Sequence, residues 1–328
     1  MSFRKTTRRT VSMLLCVLLL CGILPPVFAS GESGTIISAG MEVGSAQAQV
    51  SCTAPGDATV IAALYEADTG RMLSVGTANV SAGSGTVSVQ MSQARQEGNV
   101  LRVFLADRAS GAPLAPSYPG TISIGDVGST ITFGCYEQDN DLSNGAEPIE
   151  WRVLAVENGR ALLISAYGLD ARPYNDSDTS VTWETCSLRQ WLNGEFYNTA
   201  FNDSEKIAIA QTMVQAEDNP TYGTKAGSDT ADRIFLLSMS EAGRLFADDD
   251  DRMCTPTAYA IAQGCWQETR YKPEGTCWWW LRSPGYNSKY AALVRASGIV
   301  DASGIFAGNI YYSSNGMVRP ALWVYLNH

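Results

Sequence analysis

The chain has 328 residues, 23 basic and 33 acidic, a net charge of −10 and a single histidine, His328, at its end. Such an acidic chain has no general attraction for nucleic acid or anionic membrane, both of which want clustered Lys and Arg. A lone terminal histidine argues against Ser-His-Asp, Cys-His and most zinc sites, which need a histidine held inside the fold.

Arg4, Lys5, Arg8 and Arg9 precede an apolar run from Val11 to Leu24, ended by Pro25 and Pro26. Val27-Phe28-Ala29 then supplies the small-residue exit of a secretory signal peptide. The run is too short and too proline-bounded for a comfortable membrane span, and Leu20 before Cys21 departs from a lipoprotein signal. Residues 1–29 therefore read as a cleaved leader. The mature chain is expected to be secreted, extracellular or loosely cell-wall associated, with no membrane span. Cleavage removes four basic residues and no acidic one, so −10 becomes −14, an acidity that suits solubility outside the cell. Six cysteines remain, Cys52, Cys135, Cys186, Cys254, Cys265 and Cys277, without a C-x-x-C pair. Disulfides are the default in an exported protein, but the spacing selects no pairing, and buried thiols stay open for some.

Residues 34–115 read as all-β. Ala48–Cys52 alternates, Ala58–Tyr65 is an apolar strand, Asp68-Thr69-Gly70 turns and Arg71–Val75 returns. Gly83-Ser84-Gly85 turns again before the alternating Thr86–Met91, and Asn99–Ala106 adds another strand. Short, regularly spaced strands with Gly and Asp turns predict a small β-sandwich. Pro113, Pro116 and Pro119 among small residues make Ala112–Gly120 read as a stiff linker. The expected domains are residues 30–118 and 119–328.

In the second domain, Ile149–Leu154 and Ala161–Ser165 flank Asn158-Gly159, a hairpin signal. Leu188, Trp191, Leu192 and Phe196 fall at helical spacing and predict an amphipathic helix over Ser187–Tyr197. Asn202–Ile209 reads as a second short helix. Thr255-Pro256 opens a third, with Thr255 as cap and Gly264 as stop. From Trp278 onward the pattern is strands and turns. Gly298–Val300 and Gly304–Phe306 are expected in short strands beside a closing strand Val318–Tyr325.

The end of the chain carries the most specific pattern. Trp278-Trp279-Trp280-Leu281-Arg282-Ser283-Pro284-Gly285 is followed by Ala291–Val294, Gly298 and Gly316–Leu322, with Pro148–Leu154, Leu188–Asn193 and Thr255–Thr257 upstream. From Ile131 to Leu326 these motifs resemble a secreted bacterial domain of unknown function, family 6273, which implies no established activity. The W-x-x-R-S…G-x-x-R-P arrangement also resembles the wider group with the C-type lectin fold. That group includes formylglycine-generating enzymes and the variable ligand-binding proteins of diversity-generating retroelements. The resemblance implies a framework of Trp280, Arg282, Ser283, Arg319 and Pro320, with a binding face on the residues between them. Cys265 and Cys277 flank a Trp- and Gly-containing loop unlike the reactive pair of a formylglycine-type oxidase, and look more like a local disulfide. In the first domain, Ile61–Tyr65, Leu101–Leu105 and Pro113-Leu114 resemble immunoglobulin-like modules of secreted bacterial surface proteins, which implies a spacer or adhesive role.

Each candidate has a plainer reading beside it. Trp278, Trp279 and Trp280 are suited to stacking on sugar rings, but strand neighbours point to opposite faces, so at least one must face inward. Core packing outweighs stacking for Trp280 and balances it for Trp279. Arg282 and Arg319 suit a carboxylate or phosphate clamp, yet their tight Ser, Pro and Gly motifs favour tying loops to backbone carbonyls. Tyr286-Asn287-Ser288-Lys289-Tyr290 and the run 309–315 have the Tyr, Asn and Ser composition of adaptable recognition loops, which is also that of polar turns. Tyr286, Asn287, Tyr290, Tyr311, Tyr312 and Asn315 are the ligand-binding candidates, expected to converge on one exposed surface. Asp248–Asp251, and Asp139, Asn140, Asp141, Asn144 and Glu147, are oxygen-rich but lack EF-hand spacing. They read as solvated acidic loops, and no metal or cofactor is expected.

The fold expectation is an N-terminal all-β, immunoglobulin-like sandwich followed by an α+β C-type lectin-like domain. The function expectation is a secreted protein that recognises a glycan or cell-surface ligand through its C-terminal domain, with no catalytic residue assigned. A carboxylate-dependent hydrolase acting on cell-wall or dietary glycans and a structural surface component are the competing readings.

Overall fold

The computed structural model describes residues 33–66, 71–96, 99–115, 117–119, 122, 124–271, 273–308 and 316–326. The expected leader lies outside them. The chain divides into two compact units. One holds the described part of Met1–Ser123 with Glu157–Arg160 and Tyr325–His328, and the other is Ile124–Val156 with Ala161–Val324. Strands predominate, in several sheets with few and short helices. No described helix is long and apolar enough to cross a membrane.

The first unit contains β1 (Thr35–Gly40), β2 (Gln47–Ala54), β3 (Ala58–Glu66), β4 (Met72–Val80), β5 (Gly83–Gln90) and β6 (Asn99–Asp107). They form two antiparallel three-stranded sheets, β1-β2-β5 and β4-β3-β6. Alternation along β2 puts Ala48, Val50, Cys52 and Ala54 on one face. There they share a core with Val60, Ala62 and Leu64 of β3 and Val103 and Leu105 of β6. A one-residue slip would turn that whole set to solvent, so the alternation fixes the register. The segment read as a linker is in part a strand-like strip along β6. Pro113 bridges Ala106, Tyr118 bridges Val103, and Ala115 joins the core. Burial of the apolar residues between the prolines outweighs the stiffness the prolines suggested, and prolines are tolerated at such an edge.

The second unit begins with β7 (Thr130–Tyr136), β8 (Glu147–Glu157), β9 (Arg160–Ser165) and β10 (Asp170–Arg172). After the helical region come β11 (Ile209–Ala210), β12 (Thr212–Val214), β13 (Thr230–Asp232) and β14 (Ile234–Phe235). The chain ends with β15 (Trp279–Pro284), β16 (Tyr290–Val294), β17 (Val300–Phe306), β18 (Gly316–Val318) and β19 (Ala321–Tyr325). One sheet runs β11-β19-β9-β8-β7, with β14 also on β19; a five-stranded sheet runs β10-β18-β15-β16-β17; β12 pairs with β13. Asn158 and Gly159 join β8 to β9 with φ of 50° and 68°, the left-handed pair that an Asn-Gly hairpin turn requires.

The expected closing strand is divided between the two large sheets. Gly316–Val318 lies beside β15, whereas Ala321–Tyr325 lies in the other sheet. Pro320, which has no N–H for a ladder, stands at the break. Consequently β17 is not beside the closing strand, because β16 and β15 intervene, and Gly298 precedes β17 in a turn.

The helices are short. Helix α1 (Ser187–Trp191), a π-helical stretch Leu192–Phe196 and α2 (Tyr197–Ala200) follow one another, burying Leu188, Leu192, Phe196 and Ala200. The next helix, α3 (Asp203–Lys206), is closed by an Asn202–Glu205 capping box. It is shorter than expected because Ile209 pairs with Val324 in the sheet. Helix α4 (Met239–Arg244) has a Ser238–Glu241 capping box. The Asp run, expected as a solvated loop, forms α5 (Asp249–Arg252) with Asp248 as its cap, since carboxylates suit a helix N-terminus. Helix α6 (Ala258–Ala262) is capped by Thr257 rather than Thr255. The Thr255 carbonyl instead accepts from the Gly168 N–H at 3.0 Å.

Candidate functional site

The Trp-Arg motif occupies β15, where every residue from Trp279 to Pro284 is buried. Neighbouring side chains point to opposite faces, and here both faces are covered, so Trp279 and Trp280 are both fully buried. Trp280 donates its indole N–H to the Arg172 carbonyl at 2.9 Å and packs 5.5 Å from Tyr174. Arg282 pairs with both carboxylate oxygens of Glu241 and donates to the Leu236 carbonyl at 2.8 Å. The Ser283 hydroxyl accepts from the Met239 N–H. Arg319 donates to the Ser165 and Arg252 carbonyls and lies over the rings of Trp279 and Phe246. Burial pushes its pKa down, and the largest opposing influence is Cys254. Pro320 is buried as well.

Cys265 and Cys277 are joined in a disulfide. Of the other described cysteines, Cys135 is exposed and Cys52, Cys186 and Cys254 are buried free thiols. Cys186 caps α1 through its sulfur, and burial pushes its thiol up to about 12. That makes it a structural thiol rather than a nucleophile.

The tyrosines lie differently. Tyr286 is 45% exposed and Tyr222 51%, while Asn287 and Tyr290 are half-buried. Ring centroids step from Tyr222 to Tyr286 in 6.2 Å, from Tyr286 to Tyr290 in 4.3 Å and from Tyr290 to Phe306 in 5.7 Å. A hydrogen bond to Tyr286 raises the Tyr290 phenol above its ordinary pKa. The Asn287 side-chain oxygen is used locally, accepting from the Lys289 N–H. Tyr311, Tyr312 and Asn315 lie outside the described residues.

Buried Asn219 holds this aromatic strip together. Its amide donates towards the carbonyls of Pro284, Gly285 and Ala302. Its oxygen accepts from the N–H groups of Thr221 and Tyr222. One side chain thus fixes the turn carrying Tyr222 to the turn carrying Tyr286. Lys289 pairs with Asp178, and the Ser288 and Ser180 hydroxyls bond at 2.8 Å. Rigid support under exposed, low-entropy rings is what a recognition surface needs. Sequence reasoning missed Tyr222 and Phe306. The turn signal Asn219-Pro220 beside Tyr222-Gly223 is the local clue to the former.

A second polar cluster lies in the loop after β7. One carboxylate oxygen each of Glu137, Asp139 and Glu147 falls within 4.8 Å of the others, an arrangement of hard oxygen ligands among the described residues. Burial, then Glu147, raises the Glu137 pKa. Hydrogen bonds from Asn144 and the Asp141 N–H hold Asp139 low. Much of the cluster's negative charge is met within the loop, since Glu147 also accepts from the N–H groups of Gln138 and Asp139.

The family model described as Domain of unknown function (DUF6273) matches residues 158–326, and the chain belongs to that family. No curated protein and no solved structure matches it.

Proposed function

We propose that the chain is a secreted extracellular binding protein that recognises a glycan through the Tyr222–Tyr286–Tyr290–Phe306 strip of its second unit. In this reading the first unit is an immunoglobulin-like sandwich serving as spacer, and the second has a C-type lectin-like fold. The observation that carries the proposal is the strip itself. It presents successive rings, two of them widely exposed, on turns fixed by one buried asparagine. Aromatic faces pack on the C–H faces of pyranose rings, and phenol hydroxyls bond to sugar hydroxyls. The acidic surface suits a neutral saccharide.

The test is a glycan array probed with the mature chain, followed by titration of the best ligand against Tyr222→Ala and Tyr286→Ala. Each substitution should weaken binding by about 1–2 kcal/mol and leave the unfolding transition nearly unchanged. A glycan whose affinity survives both substitutions would place recognition elsewhere. A chain that binds no glycan but captures a cell-surface protein through the same tyrosines would overturn the ligand class.

A further inference from the structure

A separate group of side chains surrounds Arg172. We infer that Arg172, held against Trp191 by buried Asp170, forms a receptor for the carboxylate of a small organic or sugar acid. This inference does not rest on the tyrosine strip.

Asp170 is 1% exposed. Its Oδ2 accepts from the Tyr136 hydroxyl at 2.8 Å and from Arg172 Nε at 3.2 Å, and its Oδ1 accepts from the Ala171 N–H at 2.7 Å. All its contacts serve to orient. Burial, then Asp170, raises the Tyr136 phenol far above its ordinary range, so it stays a donor to that carboxylate. The Arg172 guanidinium lies 4.1 Å over the Trp191 ring. Its side chain is 36% exposed, and its backbone is fixed by pairing with Gly316 and by the Trp280 indole. Tyr259 stands edge-on to Tyr136 at 5.8 Å.

Two features are left over from this packing. The terminal nitrogens Nη1 and Nη2 of Arg172 have no hydrogen-bond partner among the described residues, since only Nε is engaged. The Trp191 indole N–H is buried and also lacks an acceptor. Trp191 stands immediately before the π-helical stretch, a rare distortion frequently found at functional sites. Both of these leftover groups, the Arg172 terminal nitrogens and the Trp191 indole, are donors, so beside them the site lacks acceptor oxygen. An arginine fork presented flat, with its Nε already committed, matches a carboxylate in bidentate geometry. Asp170 offsets the formal charge, which makes the fork's directed hydrogen bonds, rather than long-range attraction, the source of selectivity.

The experiment uses the ¹⁵N-labelled mature chain, observed through its indole N–H resonances at constant ionic strength. Sodium galacturonate should shift one resonance that disappears in Trp191→Phe. Arg172→Gln should lower the affinity at least about tenfold, and Arg172→Lys, which keeps charge but not the fork, should lower it less. Unmoved resonances of the other tryptophans certify folding; if Arg172→Gln is misfolded, the Lys variant carries the comparison. Acetate binding as tightly as galacturonate makes the carboxylate alone the ligand, while tighter galacturonate adds a sugar contribution. Tyr286→Ala should leave the titration unchanged, which separates this site from the strip. Equal shifts with glucose, undiminished binding in folded Arg172→Gln, or no shift with either carboxylate would overturn the inference.

Discussion

Replacing Arg282 with methionine tests whether this arginine is a structural tie. Arg282 is 4% exposed at its side chain and Glu241 23%. Besides the two contacts to Glu241, the guanidinium donates to the Leu236 carbonyl at 2.8 Å and the Gln215 carbonyl at 3.4 Å. Methionine fills similar volume but leaves a largely buried carboxylate and two carbonyls unmatched. Removing one partner of a buried ion pair costs about 3–5 kcal/mol. Glu241 retains some solvent and its bond to the Ser238 N–H at 2.9 Å, so the lower end, about 3 kcal/mol, is expected. All eight tryptophans lie between Trp151 and Trp323, within the second unit, so their fluorescence reports on that unit alone. In urea the midpoint should fall by roughly 1–2 M at unchanged slope. Glu241→Gln should cost less, because its side-chain oxygen can still accept from Ser238 and Arg282. A loss below about 1 kcal/mol for Arg282→Met would refute the structural assignment and leave the arginine available for a ligand.

Two further outcomes use the same fluorescence signal. Gly298 has φ of +79°, and a Cβ there would stand 1.6 Å from the Asp249 carbonyl oxygen. Gly298→Ala should therefore cost more than about 2 kcal/mol by displacing α5; a loss of only the backbone penalty, about 1 kcal/mol, would show that α5 yields freely. Hydrogen bonding to Arg152 holds Asp251 below the ordinary carboxylate range. Its folded pKa is depressed, so this stabilisation is present above the unfolded value of about 4 and is lost as pH falls through the folded one. Acid titration should show less loss of stability below about pH 4 in Arg152→Met than in the parent, and equal losses would contradict the pairing.

Patterns that were local in the chain were legible in it. The Asn158-Gly159 hairpin, the alternation of β2 and the helical spacing of Leu188, Leu192 and Phe196 each rest on neighbours within a few residues. The errors arose where distant segments compete for the same residues. Ile209 left its helix for a partner at Val324. Pro113 and Tyr118, read as part of a linker, bridge to β6. Val318–Tyr325 reads as one strand because its apolar run is nearly continuous, and only the tertiary arrangement shows that Arg319-Pro320 marks a change of sheet. The aromatic strip was half legible. Tyr286 and Tyr290 share a turn, whereas Tyr222 comes from a segment more than 60 residues earlier and joins them through Asn219.

The same geometry explains why the most recognisable motif says least about ligands. Trp280 spends its indole N–H on Arg172, Arg282 spends its fork on Glu241 and Leu236, and Arg319 is buried between aromatic rings with its donors on carbonyls. These groups are consumed by the fold and have little left to offer a partner. Tyr222 and Tyr286 are instead about half exposed, and Arg172 keeps terminal nitrogens without a partner among the described residues while its backbone is gripped by Trp280. The framework groups and the groups proposed for recognition therefore meet in single contacts but use different atoms. Under the two proposals, a substitution at Tyr286 or at the end of the Arg172 side chain should change what is bound without removing a core group. A substitution at Trp280 removes the indole that holds the Arg172 backbone, and one at Arg282 removes the tie to Glu241 and Leu236.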